Sequence, residues 1–424
     1  MDNVYTEISK VLITGTKGKT SVATIIGDVI TNLGKDTVLV NSTGAYFNDR
    51  QFSKVGQSRF YGYTHSAAPA RFIVPATLKE NIKPRDSYAI LEADIECFRF
   101  GTGFEHFHTG HDVGIFTNIY EDHIDGKLIK NRDDIYTWKS FIFQKLNSGG
   151  TLICSLDNDL TVNAFKEPIL QKKQITRIGV STKISDQAEL LKLQKQYQLA
   201  DIVFISGNFL IQSLSTKINY DPSGFAYYFQ GRNPVMTENL TFVLAYFLDQ
   251  FPTQLSQVYK QLNKFKFPAS YGRFAVFTKG NQRIILDEAH EQKSITNLIE
   301  FVNTQYNQQP YLVIRVAPNR TNEYIEKYTE IISQLNVSGI TIYDTIDGIH
   351  KKHYHRGPYT RKVGETAQLA IVQLKKTKPT KIIINESDAL LEAIKVGHKL
   401  IVHIVKYNDD TLASLAKEGF KQIL

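Results

Sequence analysis

Short apolar runs recur through the first half of the chain, each separated from the next by a stretch with helical patterning. VLITG (11–15), DTVLVNS (36–42), YAILEA (88–93), DVGIFTNI (112–119) and GTLICSL (150–156) have the continuous Val, Ile and Leu character of strands buried on both faces. Segments 19–33 and 132–147 read as helices between them. Strands alternating with helices imply βαβ units and a mostly parallel sheet covered on both sides. ADIVFISGNFLIQSLS and GFAYYFQG, within 200–231, read as a short β-rich extension, and ENLTFVLAYFLDQF (238–251) as a helix. A second α/β series follows FPASYGRF (267–274). Its expected strands are AVFTK, RIILDEA, YLVIRVA, GITIYD, KIIINE and KLIVHIV, with helices over 293–305, 322–335, 363–376, 387–396 and 410–420. Two α/β domains in series, divided near Gly272, would present ligand sites at the carboxyl ends of their strands.

Composition removes several classes of function. At 424 residues the chain exceeds one ordinary core. No apolar run approaches the roughly 20 residues that span a bilayer. The start, MDNVYTEISK, lacks the basic-then-apolar pattern of a secretory signal. Two cysteines, Cys97 and Cys154, make neither a disulfide framework nor a zinc site, so the cytoplasm is the expected compartment. The net charge of +8 is scattered, with small clusters at KKHYHR (351–356) and around Lys375 to Lys381. That pattern reads as a solvated surface, or as a field favouring anions such as ATP or acidic peptides. No zinc-finger spacing, RNA-recognition signature or basic helix with interleaved aromatics is present, so neither nucleic acid nor membrane is an expected partner. An oligomer is compatible with the sequence.

The chemistry concentrates where strands end. VLITGTKGKTS (11–21) runs from a strand into a helix and supplies Gly15, Gly18, Lys19 and Thr20. Glycines let backbone N–H groups approach phosphate oxygens, a lysine meets the β/γ charge, and a hydroxyl suits Mg²⁺. The spacing is GTKGKT instead of GxxxxGKT, so a capped turn holding a lysine is the competing reading. TNIYEDHID (117–125) follows the strand DVGIF and reads equally as a Mg²⁺ site, held partly through water, or as capping residues and a solvated turn. Glu92 ends a third strand. All three belong to one expected sheet, so a shared cleft is geometrically natural.

These residues, taken in order, resemble the Mur ligase superfamily. VLITGTKGKTS resembles its TGTxGKT/S loop, and NIYEDHID its NIxxDHLD segment. GRNPVMTEN (231–239) resembles GxHNxxN, YGRF (271–274) resembles the PGRxE turn, and ILDEAH (285–290) resembles xxDYAHNP. The resemblance implies a P-loop-containing parallel-sheet ATPase domain over 1–272 followed by a smaller Rossmann-like α/β domain over 273–424. It also implies an ATP- and Mg²⁺-dependent ligase that phosphorylates a carboxylate and joins it to an amine. Gly15, Thr16, Gly18, Lys19, Thr20 and Ser21 would hold the phosphates, with Thr20 and Glu92 on a first Mg²⁺ and His123 on a second. Lys139, in DIYTWKSFIF, falls where the family places a lysine that is often carbamylated and then ligates that second metal. Lys19, His123 and Lys139 would be the catalytic set. Asn233 and Asn239 would lie near the adenine, Arg273 and Asp287 would contact ATP, and His290 would help close the site.

Within the superfamily, the early position of the loop leaves no room for the uridine-nucleotide domain of peptidoglycan ligases. ILEADIECFRFGTGFE (90–105), STGAYFNDRQ (42–51), APNRTNEYIEKYTEI (317–331) and RGPYTRKVGETAQL (356–369) resemble segments of the carboxyl-terminal ligase domain of cyanophycin synthetase. The chain departs from that pattern at Asp94, Ile95, Glu96 and Cys97, at Asn319 to Asn322, and at Glu288, Glu291 and Gln292. Asn319 and Arg320 are the expected amine-substrate contacts, since a guanidinium fork suits a carboxylate. The expected substrates are a small-molecule or peptide-like carboxylate and an amine or amino acid. A folylpolyglutamate or poly-γ-glutamate synthase-like ligase, or a non-catalytic ATP-binding assembly subunit, are the alternatives.

Overall fold

The computed structural model describes residues 7–54, 86–94, 110–121, 129–207, 209–268, 272–289, 291–316, 321–344, 364–404 and 409–424. The chain divides into two compact units, one built on residues 1–121 and 131–265, the other on 122–130 and 266–424. Each has its own sheet.

The first unit holds strands β1 (Ser9–Thr14), β2 (Asp36–Asn41), β3 (Gly44–Phe47), β4 (Arg50–Lys54), β5 (Ser87–Glu92), β6 (His111–Phe116), β7 (Leu146–Ser155), β8 (Thr176–Ser181), β9 (Asp201–Ile205), β10 (Ile211–Ser213) and β11 (Asn219–Tyr220). Its helices of eight residues or more are α1 (Lys19–Asn32), α2 (Arg132–Lys139), α3 (Gln187–Tyr197), α4 (Pro234–Gln250) and α5 (Leu255–Leu262). The sheet order is β11-β10-β9-β8-β7-β6-β1-β5-β2-β3-β4. From β2 to β9 across β5, β1, β6, β7 and β8 every pairing is parallel. All seven carboxyl ends therefore lie along one edge, the place where such sheets collect ligands. Antiparallel strands appear only at the flanks, which is common where a large parallel sheet must end.

Burial explains the continuous apolar runs. Val11, Leu12, Ile13, Ile90, Leu91, Ile115, Leu152 and Ile153 are at most 1% exposed, because helices cover both faces. Helix α4 is apolar around most of its circumference; Leu240 and Phe242 to Phe247 are fully buried, and it packs against α1 and the β7–β9 part of the sheet. A helix apolar all round belongs inside a layered domain.

The second unit holds β12 (Ala275–Lys279), β13 (Gln282–Asp287), β14 (Tyr311–Arg315), β15 (Gly339–Tyr343), β16 (Thr380–Ile382), β17 (Leu400–Ile404) and β18 (Lys421–Gln422) in the order β16-β15-β14-β17-β13-β12-β18. β13 to β17 are parallel and β12 and β18 antiparallel. Helices α6 (Gln292–Tyr306), α7 (Asn322–Gln334), α8 (Glu365–Leu374), α9 (Glu386–Val396) and α10 (Asp409–Lys417) complete it. Every strand expected from the second apolar series is present, most of them a residue or more shorter than the run that announced it.

Three details differ from expectation. The helix expected over 132–147 stops at Lys139, a four-residue turn follows, and β7 already begins at Leu146. GFAYYFQG forms no strand; its Phe225, Tyr227 and Tyr228 are buried side chains in turns. Segment 42–51, given no secondary structure from the sequence, holds β3 and the first two residues of β4. Among the described residues no helix is long and apolar enough to cross a membrane.

Candidate active site

The turn after β1 is tied to the segment after β6 by backbone and side-chain hydrogen bonds. Thr117 N–H donates to Thr14 O at 3.0 Å and Thr16 N–H to Asn118 O at 2.8 Å. Lys17 N–H donates to Asn118 Oδ1 at 2.8 Å, and the Thr117 hydroxyl donates to Lys17 O at 2.6 Å. Tyr120 N–H reaches Thr16 Oγ1 at 3.0 Å. This closeness is why Gly15 must lack a side chain: its φ is +141°, and a Cβ there would stand 2.0 Å from Thr117 Oγ1. Gly18, at φ +85°, is covered by Asn239 of α4, whose Oδ1 would lie 2.4 Å from a Cβ.

Helix α1 starts at Lys19, and no side chain caps its amino terminus. First-turn N–H groups and the positive end of the helix dipole suit such a terminus to phosphate. The Lys19 ammonium folds over the same turn and donates to Gly15 O at 3.0 Å and Thr16 O at 3.1 Å. Positive charge is thus held at the mouth of the loop.

Deeper in, Thr20 Oγ1 donates to Glu92 Oε2 at 2.9 Å, and Ser42 N–H donates to the same oxygen at 2.9 Å. The Thr20 and Ser42 hydroxyls are 3.1 Å apart. Glu92 is 3% exposed, at the end of β5 beside β1. Two hydroxyls around one carboxylate form a hard oxygen set of the kind Mg²⁺ prefers, with water completing its shell. No cluster of three or more His, Cys, Asp and Glu side chains gathers among the described residues. Lys139, 2% exposed at the end of α2, donates from Nζ to Thr14 Oγ1 at 3.3 Å; Thr14 in turn donates to Ala93 O at 2.9 Å. The last residue of α2 thus delivers its ammonium into the sheet edge between β1 and β5.

Of the sequence-derived residues, Gly15, Thr16, Gly18, Lys19, Thr20, Glu92, Lys139 and Asn239 come together here, and Ser21 is buried in the first turn of α1. Asn233 is the N-cap of α4, its Oδ1 accepting from Met236 N–H at 3.2 Å. Arg273 and Asp287 lie in the second unit. Arg273 Nη1 pairs with Glu288 Oε2 at 2.5 Å, and Asp287 Oδ2 accepts from Phe274 N–H at 2.9 Å. His123, His290, Asn319 and Arg320 lie outside the described residues. Ser42, Thr14, Thr117 and Asn118 were not singled out from the sequence. A Ser or Thr one residue from a strand end was their only signal, and such residues are common in turns.

Glu238, adjacent to Asn239 on α4, is a further addition. Burial raises its carboxyl from the ordinary 4.5 to about 7, the nearby Asp157 adds to the rise, and Asn118 and Lys183 oppose it. Its hydrogen bond with the Asn118 side chain links the helix that covers Gly18 to the segment that braces the loop.

Residues 13–217 match the family described as the Mur ligase middle domain. A UDP-N-acetylmuramoyl-L-alanyl-D-glutamate–2,6-diaminopimelate ligase of Listeria monocytogenes is 21% identical over 314 residues, covering 73% of this chain and 57% of that protein. Its counterpart from Clostridium perfringens is 27% identical over 177 residues, 41% of this chain and 31% of that protein. The chain thus spans only about a third to somewhat over half of these relatives. The Mycobacterium tuberculosis folylpolyglutamate synthase, solved with ADP and AMPPCP, superposes over 98% of this chain and 92% of its own with a TM-score of 0.65 at 13% identity. MurF from Acinetobacter baumannii matches 98% and 77% with a TM-score of 0.61 at 15% identity. At these identities the shared property is the fold.

Two outcomes follow from the geometry. Gly15→Ala places a methyl into Thr117 and forces an L-residue to φ +141°; it should weaken triphosphate binding by at least tenfold, or lower Tm by several degrees, both measurable by calorimetry. Because the fold raises the Glu238 value, the stability it contributes is full below pH 4.5 and lost as pH rises through about 7. The Tm of Glu238→Gln minus that of the wild type should therefore grow across this window and level off above it.

Proposed function

We propose that this chain, a member of the Mur ligase superfamily through its middle domain, is an ATP-dependent ligase that joins a carboxylate to an amine. The observation that carries the reading is the convergence of Lys19, Thr20, Glu92 and Lys139 on one uncapped helix terminus. A phosphate loop alone would suit any nucleotide-binding protein. A buried carboxylate bonded to the hydroxyl beside the loop lysine, with a buried lysine next to it, suits phosphoryl transfer. The relatives' names, all ligases of peptide-like acids, support the same class.

The chemistry asked of these residues is positioning and charge neutralisation. ATP phosphorylates the substrate carboxylate, giving an acyl phosphate and ADP. The amine nitrogen then attacks the acyl carbon, and inorganic phosphate leaves with the C–O bond pair. Backbone N–H groups at Gly18 to Thr20 would hold the transferring phosphates, and the Lys19 ammonium would offset their charge. Thr20, Ser42 and Glu92 would hold Mg²⁺, which neutralises charge on the phosphates when bound. We assign Lys139 a place beside the reacting phosphate, where a carbamylated side chain would add a second carboxylate-like ligand for a metal together with His123. Asn233 and Asn239 are assigned to the adenine side, Arg273, Asp287 and His290 to ATP contacts from the second unit, and Asn319 and Arg320 to the amine substrate.

The motif resemblance to the cyanophycin synthetase ligase domain, in segments 42–51, 90–105, 317–331 and 356–369, favours an acid substrate of polyamide or peptide type. The superposition on a folylpolyglutamate synthase over most of both chains supports keeping a folylpolyglutamate or poly-γ-glutamate synthase-like ligase as the second reading. Both are cytoplasmic chemistries dependent on ATP.

The test is ATP turnover in the presence of crossed acid and amine libraries, with products weighed by mass spectrometry. Phosphate release should require both an acid and an amine. Lys19→Ala should reduce it by at least 100-fold through lost phosphate stabilisation, the order seen when one preorganised donor is removed. Lys139→Ala should abolish turnover while leaving ATP binding within a few-fold. ATP binding with no turnover in any acid–amine pair would favour the non-catalytic assembly subunit.

A further inference from the structure

Phe209 is the one exposed aromatic side chain among the described residues, 59% accessible. Its backbone is left-handed, at φ +60°, a conformation bulky residues rarely adopt. It is held there by its own N–H on Ser206 O at 2.9 Å and by the Tyr228 hydroxyl, which donates to Phe209 O at 2.8 Å. The ring lies against a second left-handed turn, Phe229, Gln230 and Gly231, where a Cβ on Gly231 would stand 3.0 Å from Phe209 Cδ1. Folding gains little from an exposed ring on a strained backbone, so its retention needs a role outside the core.

Its place in the fold supplies one. Phe209 follows β9, whose carboxyl end lies on the same edge of the parallel sheet as the phosphate loop after β1. Helix α4 joins the two places. Its residue Asn239 covers Gly18, and its start at Asn233 lies two residues beyond Gly231. Six helical residues at the standard rise separate Asn233 from Asn239 by roughly 9 Å. A nucleotide whose phosphates sit at Gly18 and which extends along the amino-terminal half of α4 would carry its base toward the Gly231 turn. An aromatic face waiting in water is the feature that a base can cover with profit, because every base has a π-face.

We infer that Phe209 is the stacking platform for the base of the bound nucleotide, braced by Tyr228 and the Phe229–Gly231 turn. This rests on the nucleotide reading given above, but it concerns a residue outside every motif that supports that reading. Stacking contributes to binding the whole nucleotide and leaves the phosphate contacts at Lys19 untouched.

The experiment is calorimetric titration of the full chain with ATP and, separately, with inorganic tripolyphosphate. For the wild type ATP should bind more tightly than tripolyphosphate. Phe209→Ala should weaken ATP binding roughly tenfold, the usual scale for losing one base–aromatic stack. Tripolyphosphate binding should stay within twofold, and Phe209→Tyr should retain both. Lys19→Ala should weaken both ligands, which separates the phosphate end from the base end. Unchanged ATP affinity in Phe209→Ala, or an equal loss of ATP and tripolyphosphate, would overturn the platform while leaving the nucleotide site standing. A wild type that binds neither ligand would remove the nucleotide reading itself, and the platform with it. Since the side chain is exposed, Phe209→Ala should keep the wild-type Tm, and Phe209→Gly, which also relieves the left-handed strain, should raise it.

Discussion

The close approach of two backbones, one leaving β1 and one leaving β6, sets the geometry of everything around the candidate site. Neighbouring parallel strands are about 4.8 Å apart and normally diverge into separate loops. Here Thr14 to Lys17 and Thr117 to Tyr120 stay bonded beyond the end of the strands. That continuation fixes where α1 begins and therefore where its amino terminus points. It also leaves no volume for a side chain at position 15. The glycine is thus a requirement of the sheet edge as much as of any ligand.

Once the loop is fixed, the buried polar groups fall into place around it. Glu92 is a nearly buried carboxylate, and a group of that kind is costly unless hydrogen bonded. It receives the Thr20 hydroxyl and the Ser42 backbone N–H. Lys139 is equally buried one strand away and reaches Thr14. Under the proposed function, a carboxylate and an ammonium held at one sheet edge would accept a cation and an anion together. A core built for stability alone would more simply use apolar residues of the same volume.

Much of this was legible in the sequence because parallel sheets write themselves plainly. Strands buried on both faces need unbroken apolar runs, and β1, β2, β5, β6, β7, β13, β14, β15 and β17 were each announced by one. What failed did so for local reasons. The run 132–147 mixes helical spacing with the onset of β7, and the break at Ser140 carries no proline or glycine to mark it. The aromatic run GFAYYFQG has strand composition, yet Phe229, Gln230 and Gly231 adopt positive φ, which composition does not register. Ser42 joins the site through tertiary contact that only the strand order reveals, whereas Thr117 and Asn118 open a segment expected at the shared cleft but with no bracing role read for them. Lys139 was recoverable only through family resemblance, since an isolated lysine on a helix ordinarily faces water.

Helix α4 ties these observations into one arrangement. Its apolar surface is needed to cover β7, β8 and β9, so its axis is fixed by packing. Because the axis is fixed, three consecutive features of its amino-terminal half acquire fixed places as well. Asn233 caps the helix beside the left-handed Gly231 turn, Glu238 meets the Asn118 segment, and Asn239 lies on Gly18. A core element chosen for burial thereby acts as a ruler along the sheet edge. One end marks the phosphate loop after β1, and the other marks the exposed ring after β9. Helical rise sets roughly 9 Å of the path between them, from Asn233 to Asn239, so under the proposed reading the ligand would be elongated, with its phosphates at the loop and its base toward the ring.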